Sequence, residues 1–89
     1  MKVVQTKVFQ KDLKRCKKQK LPFSEIDNVI ERIKNNTLQS KHRPHKWKGV
    51  KGKKDVWELH IKGDWLLLYK KDKDILHLLR TGTHADFGI

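Results

Sequence analysis

The spacing of apolar residues changes once along this 89-residue chain, from a helical period to a strand period. That change restricts the fold to a class with separate helical and sheet parts. From Lys7 to about Lys20, Phe9, Leu13 and Cys16 recur at i, i+4 and i+7, one stripe along a helix that Thr6 can cap. Pro22 breaks the period. Ser24 is a good N-cap for a second helix, with Glu25 and Asp27 suited to its first turn. Ile26, Val29, Ile30 and Ile33 form its apolar stripe, which ends near Asn35-Asn36. The two helices are expected to form an antiparallel hairpin.

Residues 37–54 read as a long basic loop, broken by Pro44, Gly49 and Gly52. Alternation then takes over. Trp57, Leu59 and Ile61 fall on one face of a strand, and Val56, Glu58 and His60 on the other. Lys62-Gly63 marks a turn. The run Trp65-Leu66-Leu67-Leu68-Tyr69 is apolar on both faces, as a central strand is. Ile75 to Arg80 forms a third strand, and the chain is expected to leave the sheet through Gly82, with Thr83 capping one helical turn. With a short strand at Val3–Thr6, the order is β-α-α-β-β-β. The expected fold is α+β: an antiparallel sheet with a helical hairpin on one face, as a single domain over residues 1–89.

Charge bears on partners rather than on fold. The net charge is +12, and residues 7–20 and 41–54 each hold seven of the 22 cationic residues. Nucleic acid is the first candidate partner, ahead of an anionic membrane or an acidic protein. The basic loop interleaves Lys46, Lys48, Lys51, Lys53 and Lys54 with Trp47, a pattern suited to phosphates and a stacked base, although Trp47 serves equally as a loop anchor. Cys16 is the only cysteine, so no internal disulfide can form, which fits the cytoplasm. No signal-like or membrane-spanning apolar run is present.

Five histidines are many for this length. In a three-strand meander the first and third strands run parallel. His60, Asp64, Arg80 and His84 therefore meet at one end of the sheet. Metal-free RNA cleavage needs such a set. The 2′-OH loses a proton as it attacks phosphorus, the 5′-oxygen gains one as it leaves, and a guanidinium stabilises the charge between. His42 and His45 lie in the basic loop, and His77 sits about half a strand away. A zinc reading of His42, His45, His60, His84 and Asp64 competes, but the spacing matches no strong zinc pattern. No metal or cofactor is expected.

The segment His60-Ile61-Lys62-Gly63-Asp64-Trp65-Leu66-Leu67-Leu68-Tyr69, followed by Leu79-Arg80-Thr81-Gly82-Thr83-His84, resembles the YafQ branch of the RelE/ParE toxin superfamily. His45-Lys46-Trp47-Lys48-Gly49 resembles a further element of that family. Gly63 stands where the family usually has Pro, and Phe87 follows His84 by three residues rather than four.

The resemblance implies a RelE-like fold and a ribosome-dependent mRNA endonuclease of a type II toxin–antitoxin system. Its partners would be mRNA in the ribosomal A site, ribosomal RNA and a cognate acidic antitoxin. It assigns catalytic positions to His45, His60, Asp64, Arg80 and His84, and substrate contacts to Trp65 and Phe87, although Trp65 serves equally as a core residue. Under it, His84 is the candidate acid and His60, tuned by Asp64, the candidate base. A non-catalytic RNA- or ribosome-binding module and a gyrase-directed toxin of the same fold are the alternatives.

Overall fold

The computed structural model describes residues 1–19, 23–46 and 55–87. Its elements are β1 (Lys2–Gln5), α1 (Lys7–Lys18), α2 (Phe23–Lys34), a 3₁₀ turn (Ser40–His42), β2 (His45–Lys46), β3 (Trp57–Lys62), β4 (Trp65–Asp72), β5 (Ile75–Thr83) and the single-turn α3 (His84–Phe87). The strands form one sheet in the order β1-β5-β4-β3-β2. β3, β4 and β5 are the expected antiparallel meander.

Four details depart from expectation. β1 pairs parallel to β5, an edge the residue pattern did not specify. The basic loop contains a short strand, β2, paired with Trp57 and Glu58 of β3. Ser24 lies inside α2 rather than before it. Gly82 stays in the sheet opposite Leu66, and the strand continues to Thr83.

One apolar core joins both helices to one face of the sheet. Phe9 and Cys16 of α1 and Ile26, Val29 and Ile33 of α2 cluster with Leu59, Ile61, Leu67, Tyr69, Leu76 and Leu78. Burial of that apolar surface is the main force holding the layers together. It also raises the pKa of the Cys16 thiol and the Tyr69 phenol, since both ionised forms lose water.

Two strand irregularities set where the helices and turns attach to the sheet. Leu68 pairs with Arg80 but Tyr69 with Leu78, so Leu79 is an extra residue in β5. The carbonyl of Leu79 accepts a hydrogen bond from Thr6 Oγ1 at 3.0 Å, and the same oxygen of Thr6 accepts from Phe9 N to cap α1. α1 is thus tied to the bulge. In β3, His60 faces Leu66 and Lys62 faces Trp65, so Ile61 is bulged. The turn is Gly63-Asp64, one position later than a strict Lys62-Gly63 turn, with Gly63 at φ 57, where a side chain would be strained.

His42 is buried, and its Nδ1 accepts from the backbone N–H of Gln39, closing the 3₁₀ turn. Burial and the nearby charges of Lys41 and Arg32 lower its pKa. Below the ordinary imidazole pKa of about 6.5, the unfolded chain therefore binds a proton that the folded chain resists. His42 is thus expected to contribute stability above that pH and to lose it as pH falls. Between about pH 7 and about pH 5, the urea midpoint of the wild type should drop more than that of H42Q. Parallel profiles would contradict this account.

Candidate functional site

The sheet face away from the apolar core carries the polar groups. Leu66 and Leu68 are buried but stand outside the core cluster, as residues of the opposite face should. Cross-strand pairing places His45, Glu58, Leu68 and Arg80 in one row over four strands. His60, Leu66 and Gly82 form the next row. α3 opens with His84 directly after β5.

Three side chains converge across these rows. One donor atom each from Glu58, His60 and His84 lie within 4.8 Å of one another. The His60 and His84 rings are 5.7 Å apart. Glu58 is buried, and its carboxylate lies 3.5 Å from His45 Nε2, whose ring is anchored through Nδ1 to Arg43 O at 2.8 Å. Asp64, released from the ladder by the turn, bonds His84 Nδ1. That corrects the expected pairing with His60, whose Nδ1 instead meets Gly63 O at 3.5 Å. The bulge at Ile61 explains the difference. It moves the turn forward, and Asp64 then faces α3.

Arg80 is held from the helix side. Its Nε and Nη2 donate to the two oxygens of Asp12 on α1, each at 3.1 Å. Asp12 also accepts from Arg15 Nη1 at 3.0 Å and from the N–H of Thr81 at 3.2 Å. The Asp12 side chain is 3% exposed, whereas that of Arg80 is 40% exposed. The carboxylate is buried and the guanidinium still reaches solvent. Hydrogen bonding to Asp12 raises the pKa of Arg80 further. Asp86 lies 3.6 Å from Arg15 Nη2, so two carboxylates balance the two guanidiniums of the group. The Phe87 ring lies 5.1 Å from Arg80 Cζ, a cation–π contact that shields one side of the fork. A Cβ at Gly82 would sit 2.7 Å from Arg15 Nη2 and 2.9 Å from Asp86 Oδ2, so a side chain there would push these two chain ends aside. Asp86 in turn accepts from Thr83 N at 2.9 Å, the main cause of its lowered pKa.

The remaining sequence candidates fall elsewhere. Trp65 packs against the apolar core on the helix-facing side, so it does not line this site. Lys46 is exposed on β2, one position from His45 and so on the other face. Trp47, Lys48, Lys51, Lys53 and Lys54 lie outside the described residues. His42 is in the 3₁₀ turn, and His77 pairs with Val4 and Lys70 at the far end of β5. Sequence reasoning missed Glu58 and Asp12. Glu58 shares the parity of His60, and Asp12 is the one acid in a basic helix. Both signals are in the chain.

A family model for bacterial toxins of type II toxin–antitoxin systems, YafQ, matches residues 1–88. The chain belongs to the YafQ family of type II toxins. It is 32% identical over 80 residues to the mRNA interferase toxin YafQ of Escherichia coli K12, covering 86% of this chain and 84% of that protein. The E. coli YafQ toxin crystallised in the DinJ–YafQ complex superposes with a TM-score of 0.84 at 28% identity, over 94% of this chain and 93% of that one. A metal-bound toxin from Helicobacter pylori superposes with a TM-score of 0.87 at 32% identity, over 97% of each chain. The fold is thus that of the YafQ toxins.

Replacing Asp12 with Asn keeps its shape and removes its charge. D12N is expected to lower unfolding free energy by roughly 1.5–3 kcal/mol, the usual worth of hydrogen bonds to a charged group. Urea denaturation measures this, and a loss below about 0.5 kcal/mol would mean that Arg80 is held by other contacts.

Proposed function

We propose that this YafQ-family toxin is a ribosome-dependent mRNA endonuclease that works by direct proton transfer between histidines and RNA. The observation that carries the reading is the His60–His84 pair, with Asp64 on the Nδ1 of His84 and Arg80 in the adjoining row of the sheet. Asp64 fixes the tautomer and orientation of His84 and leaves its Nε2 to face the substrate. His84 is then the acid that protonates the leaving 5′-oxygen. His60 is the base that takes the proton of the 2′-OH as that oxygen attacks phosphorus. Arg80, preorganised by Asp12, meets the charge that gathers on the phosphorane oxygens. Glu58 and His45 form a second polar pair in the row behind. Phe87 steadies the Arg80 fork.

The chain acts as one domain in the cytoplasm. The E. coli relative is crystallised with DinJ. By analogy, an acidic antitoxin covers the basic surface here, and the Lys-rich α1 offers ribosomal RNA a polyanion-binding face. No helix among the described residues is long and apolar enough to cross a membrane.

Expression should arrest growth, with new mRNA ends mapping to translated codons, and purified protein should cut RNA on ribosomes but not naked RNA. H84A should lower cleavage by about 10²–10⁴-fold, the range for losing a positioned acid, and relieve the arrest. Undiminished arrest by H84A without new mRNA ends would instead favour a non-catalytic ribosome binder.

A second reading concerns the donor set itself. Two imidazoles and a carboxylate, as Glu58, His60 and His84 provide, suit copper or zinc, and Asp64 supplies the outer hydrogen bond that a metal-bound histidine usually has. A bound ion would occupy the lone pairs that proton transfer needs. Chelator-treated protein should therefore keep its full cleavage rate, and added copper should inhibit it. Loss of activity on chelation, with recovery on adding metal, would show that the metal serves the reaction.

A further inference from the structure

Beside the histidine pair lies an open cleft of about 690 Å³, lined by Lys41 and Arg43 of the 3₁₀ turn, Glu25 of α2, and His60, Lys62 and Gly63 at the end of β3. Its size falls within the roughly 300–1,000 Å³ of ligand-binding clefts. Among the described lining residues three cations face one carboxylate, so the cleft favours an anion. His60 belongs to both the cleft and the catalytic cluster. A ligand in the cleft therefore meets one residue of that cluster, His60.

We propose that this cleft holds the RNA backbone on one side of the scissile phosphate, with Lys41, Arg43 and Lys62 taking the neighbouring phosphates. This rests on the nuclease reading for the identity of the adjoining site. The local structure fits the task. Arg43 ends the 3₁₀ turn in the left-handed region at φ 45 and ψ 56, a conformation that costs a non-glycine residue free energy and persists only where its surroundings impose it. The buried His42 imposes it through its bond to Gln39 N, together with the Arg43 N–H bond to Ser40 O at 3.1 Å. His42 thereby anchors the turn that presents Lys41 and Arg43 on either side of it. A docked protein segment would need apolar anchors, and among the described residues the one apolar side chain lining the cleft, Ile61, is itself buried in the core. RNA phosphates need only the cations.

The test is binding of a short, mixed-sequence single-stranded RNA with 2′-O-methyl groups, which the toxin cannot cut, followed by fluorescence anisotropy over a range of salt. Each phosphate contact on a single strand contributes about 0.7 to the slope of log affinity against log salt. K41Q/R43Q should lower that slope by about 1.4, and K62Q, on a different element, by about 0.7. K71Q/K73Q, with the same charge change as the double variant but located toward the β4–β5 turn, should leave the slope unchanged. If K41Q/R43Q and K62Q both matched K71Q/K73Q, the proposal would fail. It would equally fail if K41Q/R43Q bound RNA normally but escaped neutralisation by an acidic antitoxin, since the cleft would then be a protein-docking site. Because the probe is never cut, a wild type that bound it with the expected slopes but cleaved no mRNA would sink the nuclease reading and leave the cleft assignment standing.

Discussion

A single buried carboxylate ties the two layers of this protein to its candidate chemistry. Asp12 projects from α1 and accepts hydrogen bonds from Arg15, from both donor positions of Arg80 and from the backbone of Thr81. Burying a charge is costly unless it is paired and hydrogen-bonded, and here every contact is charge-assisted or backbone-derived. The same interaction fixes helix to strand and aims the guanidinium. The Leu79 bulge makes it possible, because it offsets the register of β5 where Thr6 and α1 attach. Helix cap, strand bulge and Arg80 orientation form one connected arrangement.

A similar economy appears at the other end of the meander. The Ile61 bulge and the left-handed Gly63 move Asp64 out of the ladder, and the carboxylate then reaches the first residue of α3. His60 and His84 come from separate strand ends, so their approach depends on the sheet's topology rather than on any local motif. The buried Glu58 behind them links the pair to His45 on β2. That short strand forms where the basic chain meets the free edge of β3.

Much of this was legible in the residues. Alternation in Trp57–Ile61 and the doubly apolar run at Leu66–Leu68 specified the meander, because strand faces follow a period of two. Helical stripes specified α1 and α2 for the same kind of reason. The convergence of His60, Asp64 and His84 followed from the direction of the strands. The finer pairing did not, since it depends on a one-residue shift at Ile61 that no composition signal marks. The parallel edge of β1 is likewise a tertiary choice made by packing α1 over the sheet. β2 was hidden because two polar residues, His45 and Lys46, carry no period. Trp65 shares the parity of Leu67 and Tyr69, which places it on the core side, whereas its place in the family motif suggested substrate.

In the proposed chemistry an RNA hydroxyl attacks its own phosphorus while two histidines exchange protons with it. Replacing the 2′-OH by hydrogen at the one nucleotide where the toxin cuts a ribosome-bound mRNA removes that nucleophile and nothing else. Cleavage at that position is then predicted to stop while ribosome binding persists. Continued scission at the deoxy position would mean that water or a protein group attacks the phosphorus, and the assigned roles of His60 and His84 would be wrong.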